Sequence, residues 1–290
     1  MSFYSIGSLR IEAEALPHSY QPFLLRSEMC RKKSDLTIKQ VSMPHSTEQL
    51  HKIAELSGIT IWKNKLSNDC FRWVFEVNNG ISALTVNANY TDAEFYCLDL
   101  LNQLFNHRPG EFLAPCFQML LECKLLQNGF TVLHSACVEL DGKAYAFTGP
   151  SGIGKSTRAQ KWCDLLSAEW ISGDRPAVDV SRGIVYGVPW DGKEGIYRNV
   201  SRPLAAILKV KRSESTMIKE MTEEEKLQLL CEQTFSPMWD PVLVANAFHS
   251  LRILMKSVPI YELCCDITDE STIKAHELIV KAMNSMKGEV

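Results

Sequence analysis

The 290-residue sequence lacks the features that would assign it at once to several familiar classes. No run approaches the roughly 18 uninterrupted apolar residues that a membrane-crossing helix needs, so no helical span is expected. There is no basic excess: 31 Lys and Arg against 34 Asp and Glu leave a formal net charge of −3, which argues against a general nucleic-acid binder. The N-terminus, Met-Ser-Phe-Tyr-Ser-Ile-Gly-Ser-Leu-Arg, has no basic stretch followed by an apolar one, and the expectation is a cytoplasmic protein. Ten cysteines are present without a single Cys-x-x-Cys pair. Cys264 and Cys265 are adjacent, so on a strand their side chains diverge. Cys116 and Cys123 lie seven apart on an expected helix and can share a face without making a metal site. Buried free thiols in a reducing compartment are the expectation. Internal repeats and low-complexity segments are also missing.

What remains is an ordinary globular composition, 46% hydrophobic and 22% charged, long enough for one large domain or two modest ones. The first hundred residues read mainly as strands. Phe71, Trp73, Phe75 and Val77 alternate on one face of residues 70–77, the period of a half-buried strand. Asn78-Asn79-Gly80 supplies a turn, and residues 81–89 a following strand. A helix is expected from Thr91 to about His107, with Asp92 and Glu94 in its first turn. Arg108-Pro109-Gly110 is a breaker cluster and sets the expected boundary between residues 1–108 and 109–290. A second helix follows over 111–127, closed by Asn128-Gly129. Beyond it strands interleave with helices. Strands are expected over 131–140, 143–148, 203–210 and 259–264, and helices after the glycine-rich segment and over 222–233, 241–256 and 271–286. This is an α/β C-terminal domain preceded by a smaller, strand-rich α+β domain.

One segment carries chemistry plainly. Gly149-Pro150-Ser151-Gly152-Ile153-Gly154-Lys155-Ser156 fits the phosphate-loop pattern G-x-x-x-x-G-K-[ST] without a mismatch. Glycines let successive backbone N–H groups turn inward as an anion-binding nest. The helix that follows offers its positive end to the same phosphates. Lys155 is placed to reach the β and γ phosphates, and the Ser156 hydroxyl to ligate Mg²⁺. The apolar strand before the loop and the helix after it are the context the motif requires. Residues 149 and 151–157, ending in Thr157, are therefore the expected nucleotide contacts.

Asp141-Gly142 sits between two strand-like runs, a hairpin signal. With those two as the loop, Leu140 faces Lys143 and paired positions sum to 283. His134 then falls opposite Gly149, at the mouth of the phosphate loop, and becomes a candidate for function rather than only for packing. An antiparallel neighbour beside the phosphate-loop strand is unlike the parallel surroundings of most such NTPases.

The strand histidine, short hairpin, phosphate loop, acidic segment about twenty residues on and later glutamate resemble the HPr kinase/phosphorylase family, whose core is akin to that of phosphoenolpyruvate carboxykinase. The resemblance covers roughly Val132 to Leu208. Ile171-Ser172-Gly173-Asp174-Arg175-Pro176 and Gly187-Val188-Pro189-Trp190-Asp191-Gly192-Lys193-Glu194-Gly195 look more narrowly like HPr-kinase-like proteins, some of which phosphorylate a serine of a precursor peptide. In the family two adjacent aspartates follow the helix, one as base toward the acceptor hydroxyl and one at the metal. Asp174 takes the second place, and Gly173 departs from the first. Either Asp174 does both jobs, or His134 or Glu194 orients the acceptor, or transfer is lost. The resemblance places Glu194 with the metal and implies a homo-oligomer.

The expected function is ATP- and Mg²⁺-dependent transfer of the γ-phosphoryl group to a hydroxyl, a serine of a peptide or protein, with GTP as the alternative donor. Catalytic candidates are Asp174, His134 and Glu194; metal candidates are Ser156, Asp174 and Glu194. Residues 1–108 are expected to recognise the acceptor, since the phosphate-handling residues all lie beyond position 130. Arg175, Lys193, Arg198 and Arg202 are further candidates for phosphate oxygens, and Trp190 either shapes the pocket or only packs. Competing readings are a nucleotide-binding regulator or scaffold without transfer, and a small-metabolite kinase.

Overall fold

The computed structural model describes residues 1–25, 33–42, 50–56, 58–64, 73–77, 82–97 and 113–287. The chain is mixed α/β with two mixed sheets. It divides into two compact units, 1–128 with 237–241, and 129–236 with 242–290. The division falls at Asn128-Gly129, where Gly129 takes a left-handed φ of 80°. The Arg108-Pro109-Gly110 cluster lies outside the described residues.

Among the described residues of the first unit, eight strands form one sheet: β1 (Ser2–Ile6), β2 (Leu9–Ala13), β3 (Leu36–Gln40), β4 (Leu50–Leu56), β5 (Ile59–Asn64), β6 (Trp73–Val77), β7 (Ser82–Val86) and β8 (Asp92–Cys97), in the order β1-β2-β3-β8-β7-β6-β5-β4. Strand β6 lies within the span expected for it, and the expected turn at 78–80 is outside the described residues. Helix α1 (Ala114–Gln127) packs on this sheet, with Phe117 5.4 Å from Phe95, ring to ring.

The helix expected from Thr91 is a correction: its first residues are strand β8. Ala93, Phe95 and Cys97 are buried while Asp92 is exposed and Glu94 and Tyr96 are half-buried, so the segment has period two. Pairing on both edges, antiparallel to β7 and parallel to β3, overrides the helix-start signal of the two acids.

The second unit holds β9 (Phe130–Val132), β10 (Ser135–Leu140), β11 (Lys143–Thr148), α2 (Lys155–Leu166), β12 (Glu169–Ser172), β13 (Ala177–Asp179), β14 (Ile184–Tyr186), β15 (Ser201–Arg212), β16 (Met217–Glu220), α3 (Glu223–Gln233), most of α4 (Pro241–Ser257), β17 (Ile260–Cys265) and α5 (Asp269–Lys287). Its nine-stranded sheet runs β12-β10-β11-β15-β14-β13-β9, with β17 on β15 and β16 on β17. The hairpin register is the expected one, from Ser135 opposite Thr148 to Leu140 opposite Lys143. The single strand expected over 131–140 is instead two. Leu133 N–H donates to Pro176 O and His134 N–H to Gln233 O (3.2 and 2.7 Å), so the chain changes partners there, from β13 to β11 and β12.

Alternation along β10 and β11 fills two cores. Cys137, Ala144 and Ala146 face one layer with Leu229 of α3 and Leu251 and Leu254 of α4. Ala136, Val138, Tyr145 and Phe147 face the other with Ala159 and Trp162 of α2 and Ala275 and Ile279 of α5. The cysteines with described positions form no disulfide, and most are buried. Among the described residues no helix is long and apolar enough to cross a membrane.

Trp162 fastens the helix that follows the glycine-rich loop. It is fully buried, with ring centroids of Tyr145, Phe147 and His276 at 5.0, 5.1 and 5.3 Å. Its indole N–H is buried with no hydrogen-bond partner among the described residues. Trp162→Ala should therefore cost about 3–5 kcal/mol. Trp162→Phe should cost distinctly less, because it removes an unsatisfied donor along with some volume. Urea unfolding of both variants measures the difference.

Candidate functional site

Strand direction gathers the site. β15 pairs in parallel with β11 and with β17, so the C-terminal ends of all three emerge at one sheet edge, where open α/β sheets place their ligands. β10 is antiparallel to β11, so it starts at that edge, with His134 just before it. β12 is antiparallel to β10, so it finishes there, at Ser172. His134 and Asp174, 40 positions apart in the chain, thus come within 3.7 Å.

The glycine-rich loop joins β11 to α2. Gly149, Gly152 and Gly154 have φ of 134°, 78° and 111°, values that side chains with a Cβ avoid. Lys155 opens α2 and folds back, Nζ donating to the carbonyls of Gly149 (3.0 Å) and Pro150 (3.3 Å). Ser156 is half-buried at the start of the helix, while Ser151 and Thr157 are exposed and Ile153 half-buried. Arg212, at the end of β15, holds the loop from outside through Gly152 O (2.8 Å) and Ile153 O (3.4 Å). Sequence reasoning passed over Arg212, because its role depends on β15 running two residues past the expected strand. Beside the loop a cavity of about 620 Å³ is lined by Ile153, Thr157, Val210, Arg212, Cys265 and Ile267 among others, a size usual for small-molecule sites.

The acidic segment follows β12. Its backbone is tied at three points: Ser172 Oγ donates to Asp174 O (2.8 Å), Trp190 Nε1 to Arg175 O (3.1 Å) and Leu133 N to Pro176 O (3.2 Å). Arg175 itself has a left-handed φ of 55°, a strained state costing about 1–3 kcal/mol that persists only where surroundings over-determine it. Its guanidinium lies over the Phe235 ring, 5.8 Å from the centroid. Trp190 therefore both packs and positions this segment.

His134 Nε2 stands 3.7 Å from Asp174 Oδ1, within ion-pair range and beyond a hydrogen bond. Burial, with the Lys155 and Arg175 charges adding to it, lowers the imidazole below its ordinary value, so His134 is neutral at neutral pH. Burial pushes the Asp174 carboxyl up to about 6; the Arg175 and Lys155 charges oppose the rise, and Asp191 and Glu194 add to it. Burial also lowers Lys155, against the pull of Asp174. Asp174 is thus flanked electrostatically by the loop lysine and by two further carboxylates.

Glu194 is exposed, and its Oε2 accepts the Lys193 N–H at 3.1 Å. His134, Lys155, Asp174 and Glu194 are brought together as a neighbourhood. Arg198 and Arg202 are held elsewhere: Arg198 bonds Trp170 O and Glu169, and Arg202 pairs with Glu139 at 2.7 Å. Among the described residues no three His, Cys, Asp or Glu side chains are grouped closely enough to hold a metal ion. The Ser156 hydroxyl and Asp174 carboxylate are nevertheless hard oxygen donors of the kind Mg²⁺ takes, which needs only one or two side chains when phosphates supply the rest.

The raised Asp174 value sets a pH dependence. Between the unfolded value near 3.8 and the folded value of about 6, the folded state holds more protons, so stability falls as pH rises through this window. Above about pH 6 the ionised carboxylate is a full burden on the fold. Asp174→Asn should therefore raise the thermal midpoint at pH 7.5 by a few degrees, at roughly 2–4 °C per kcal/mol. The gain should shrink toward zero as pH is lowered from 6 to 4, as scanning calorimetry across that range would record.

Compared with known proteins, the sequence matches no protein-family model and no curated protein.

Proposed function

We propose that the chain is an HPr-kinase-like phosphotransferase that moves the γ-phosphoryl group of ATP to a hydroxyl, a serine of a peptide or protein. The observation that carries the reading is a complete phosphate-loop sequence at the edge of a sheet, with Asp174 facing Lys155 and His134. The left-handed glycines support it, since they turn backbone N–H groups toward an anion. The neighbouring cavity supports it too, with room for a nucleoside.

In this reading the loop N–H groups, the start of α2 and Lys155 hold the phosphates. Phosphoryl transfer asks the protein mainly for positioning and charge stabilisation. Lys155 leaves the Gly149 and Pro150 carbonyls and turns to the phosphate oxygens. Mg²⁺, when bound, neutralises charge on the β and γ phosphates, and Ser156 and Asp174 would hold it. Neutral His134, hydrogen-bonded to the Gln233 side chain, orients the acceptor hydroxyl. Residues 1–108 are assigned to acceptor recognition.

The rival reading is a nucleotide-binding regulator without transfer, and Gly173 favours it, because no carboxylate stands at that position of the acidic segment. Incubation with ATP, Mg²⁺ and cell peptides, followed by mass spectrometry, separates the two. Phosphoserine peptides are expected; ATP binding without any phosphorylated product would support the regulator. Lys155→Ala should weaken ATP affinity in isothermal titration, or leave the bound γ-phosphoryl group unproductive. Asp174→Asn should leave ATP bound through the loop N–H groups and Lys155 while transfer falls by about 10²-fold or more, because a carboxylate that would hold Mg²⁺ against the phosphates is lost.

A further inference from the structure

The departure at Gly173 has a geometric counterpart. A Cβ built on Gly173 would lie 2.3 Å from Asp191 Oδ1, 3.1 Å from Asp191 Cγ and 3.0 Å from Glu194 Oε2. A contact at 2.3 Å is impossible for a real side chain, so the volume next to residue 173 is already filled, and by a carboxylate. Gly192 frames the same space: its Cβ would lie 3.3 Å from Glu194 Oε2 and 3.4 Å from Asp174 Cβ. Asp191 is held by the backbone of its own loop, whose Gly192, Gly195 and Ile196 N–H groups all bear on the carboxylate. Its Oδ2 accepts the Ile196 N–H at 2.6 Å, which closes the loop 191–196. Its Oδ1 is buried and has no hydrogen-bond partner among the described residues. A buried carboxylate oxygen without a donor is costly and calls for a physical reason.

We propose that Asp191 is the carboxylate that the acidic segment lacks at position 173, and that its Oδ1 accepts the proton of the attacking hydroxyl. The inference rests on the phosphotransferase reading and divides its labour. Asp174, on the Lys155 side, serves the phosphates. Asp191, on the Gly173 side, serves the acceptor. In the step, an acceptor oxygen lone pair forms the new bond to the γ-phosphorus while the bond from that phosphorus to the β–γ bridging oxygen breaks. The electron pair of the broken bond leaves with ADP, and the hydroxyl proton passes to Asp191 Oδ1. Glycine at 173 follows as a requirement, because any side chain there would displace the base. The backbone N–H groups of its own loop orient the carboxylate, Ile196 through Oδ2, and oppose the rise that burial causes. Burial raises the Asp191 carboxyl above its ordinary value, which makes it a better proton acceptor than an exposed aspartate.

Asp191→Asn keeps an oxygen for the Ile196 N–H and removes the charge, so folding should survive, with a thermal midpoint close to wild type. Two acceptors are used with ATP and Mg²⁺ on the full chain: water, read as ADP release, and a degenerate serine-peptide library, read by mass spectrometry. The expected result is an unchanged ATP affinity and turnover lower by about 10²-fold or more. The residual rate should climb with pH without the wild-type plateau, because hydroxide replaces the lost base. Moving the carboxylate with Gly173→Asp and Asp191→Gly together should recover at least about tenfold over Asp191→Gly alone. Equal turnover and pH profile in wild type and Asp191→Asn would overturn the role of Asp191 alone, leaving the kinase reading intact. A relocated carboxylate that recovers nothing would overturn the shared-space assignment. A wild-type chain that binds ATP but releases no ADP and labels no peptide would overturn the kinase reading, and Asp191 with it.

Discussion

Strand β15 pairs in parallel with β11 on one side and with β17 on the other, and the candidate site depends on that double pairing. Parallel neighbours finish at the same edge, so the loops after β11, β15 and β17 converge there. The antiparallel β10 and β12 then add their own ends, bringing His134 and the 172–176 segment to the phosphate loop. Nothing local in β15 announces this. Its apolar residues divide between two buried layers, Leu204 and Ile207 on one face and Ala206, Leu208 and Val210 on the other. A strand buried on both faces is what a parallel core requires.

The electrostatics of the edge run against stability. Asp174 and Asp191 are both raised by burial, and Lys155 is lowered by it. Charged groups held out of water persist where a ligand or reaction uses them, as perturbed groups cluster at functional sites. The backbone tells the same story. Arg175 keeps a left-handed conformation in front of a proline, and Ser172, Trp190 and Leu133 each tie the segment around it. Strain and desolvation are both offset by the two packed layers beneath, with Trp162 at the centre of one of them.

Much of this was legible in the residues. The glycine-rich loop between β11 and α2 was legible as the pattern G-x-x-x-x-G-K-[ST], whose glycines, lysine and hydroxyl all lie within eight residues. The hairpin register followed from Asp141-Gly142, since a two-residue turn leaves the strands only one alignment. Helix α3 was legible from Thr222 followed by Glu223, Glu224 and Glu225, since carboxylates favour the positive end of a helix; the structure adds a reciprocal cap between Thr222 and Glu225. The short strands β12, β13, β14 and β16 carried no usable pattern, being three or four residues long. Strand β8 read as a helix because two acids near its start outweighed an alternation of only three buried residues.

The sequence by itself determined the local pattern: the glycines, lysine and hydroxyl of residues 149–156 at their fixed spacing, and where the chain turns. Local chemistry is set by side chains a few positions apart, whose geometry the backbone fixes without help. Only the tertiary structure decided that Asp191 fills the space beside Gly173, that Trp190 supports Arg175, and that Arg212 grips the loop from 59 and 60 positions away. Those contacts depend on strand order and on where each loop returns to the sheet edge. No spacing in the chain encodes them, because the distance between two residues in space is set by the pairing of all the strands between them.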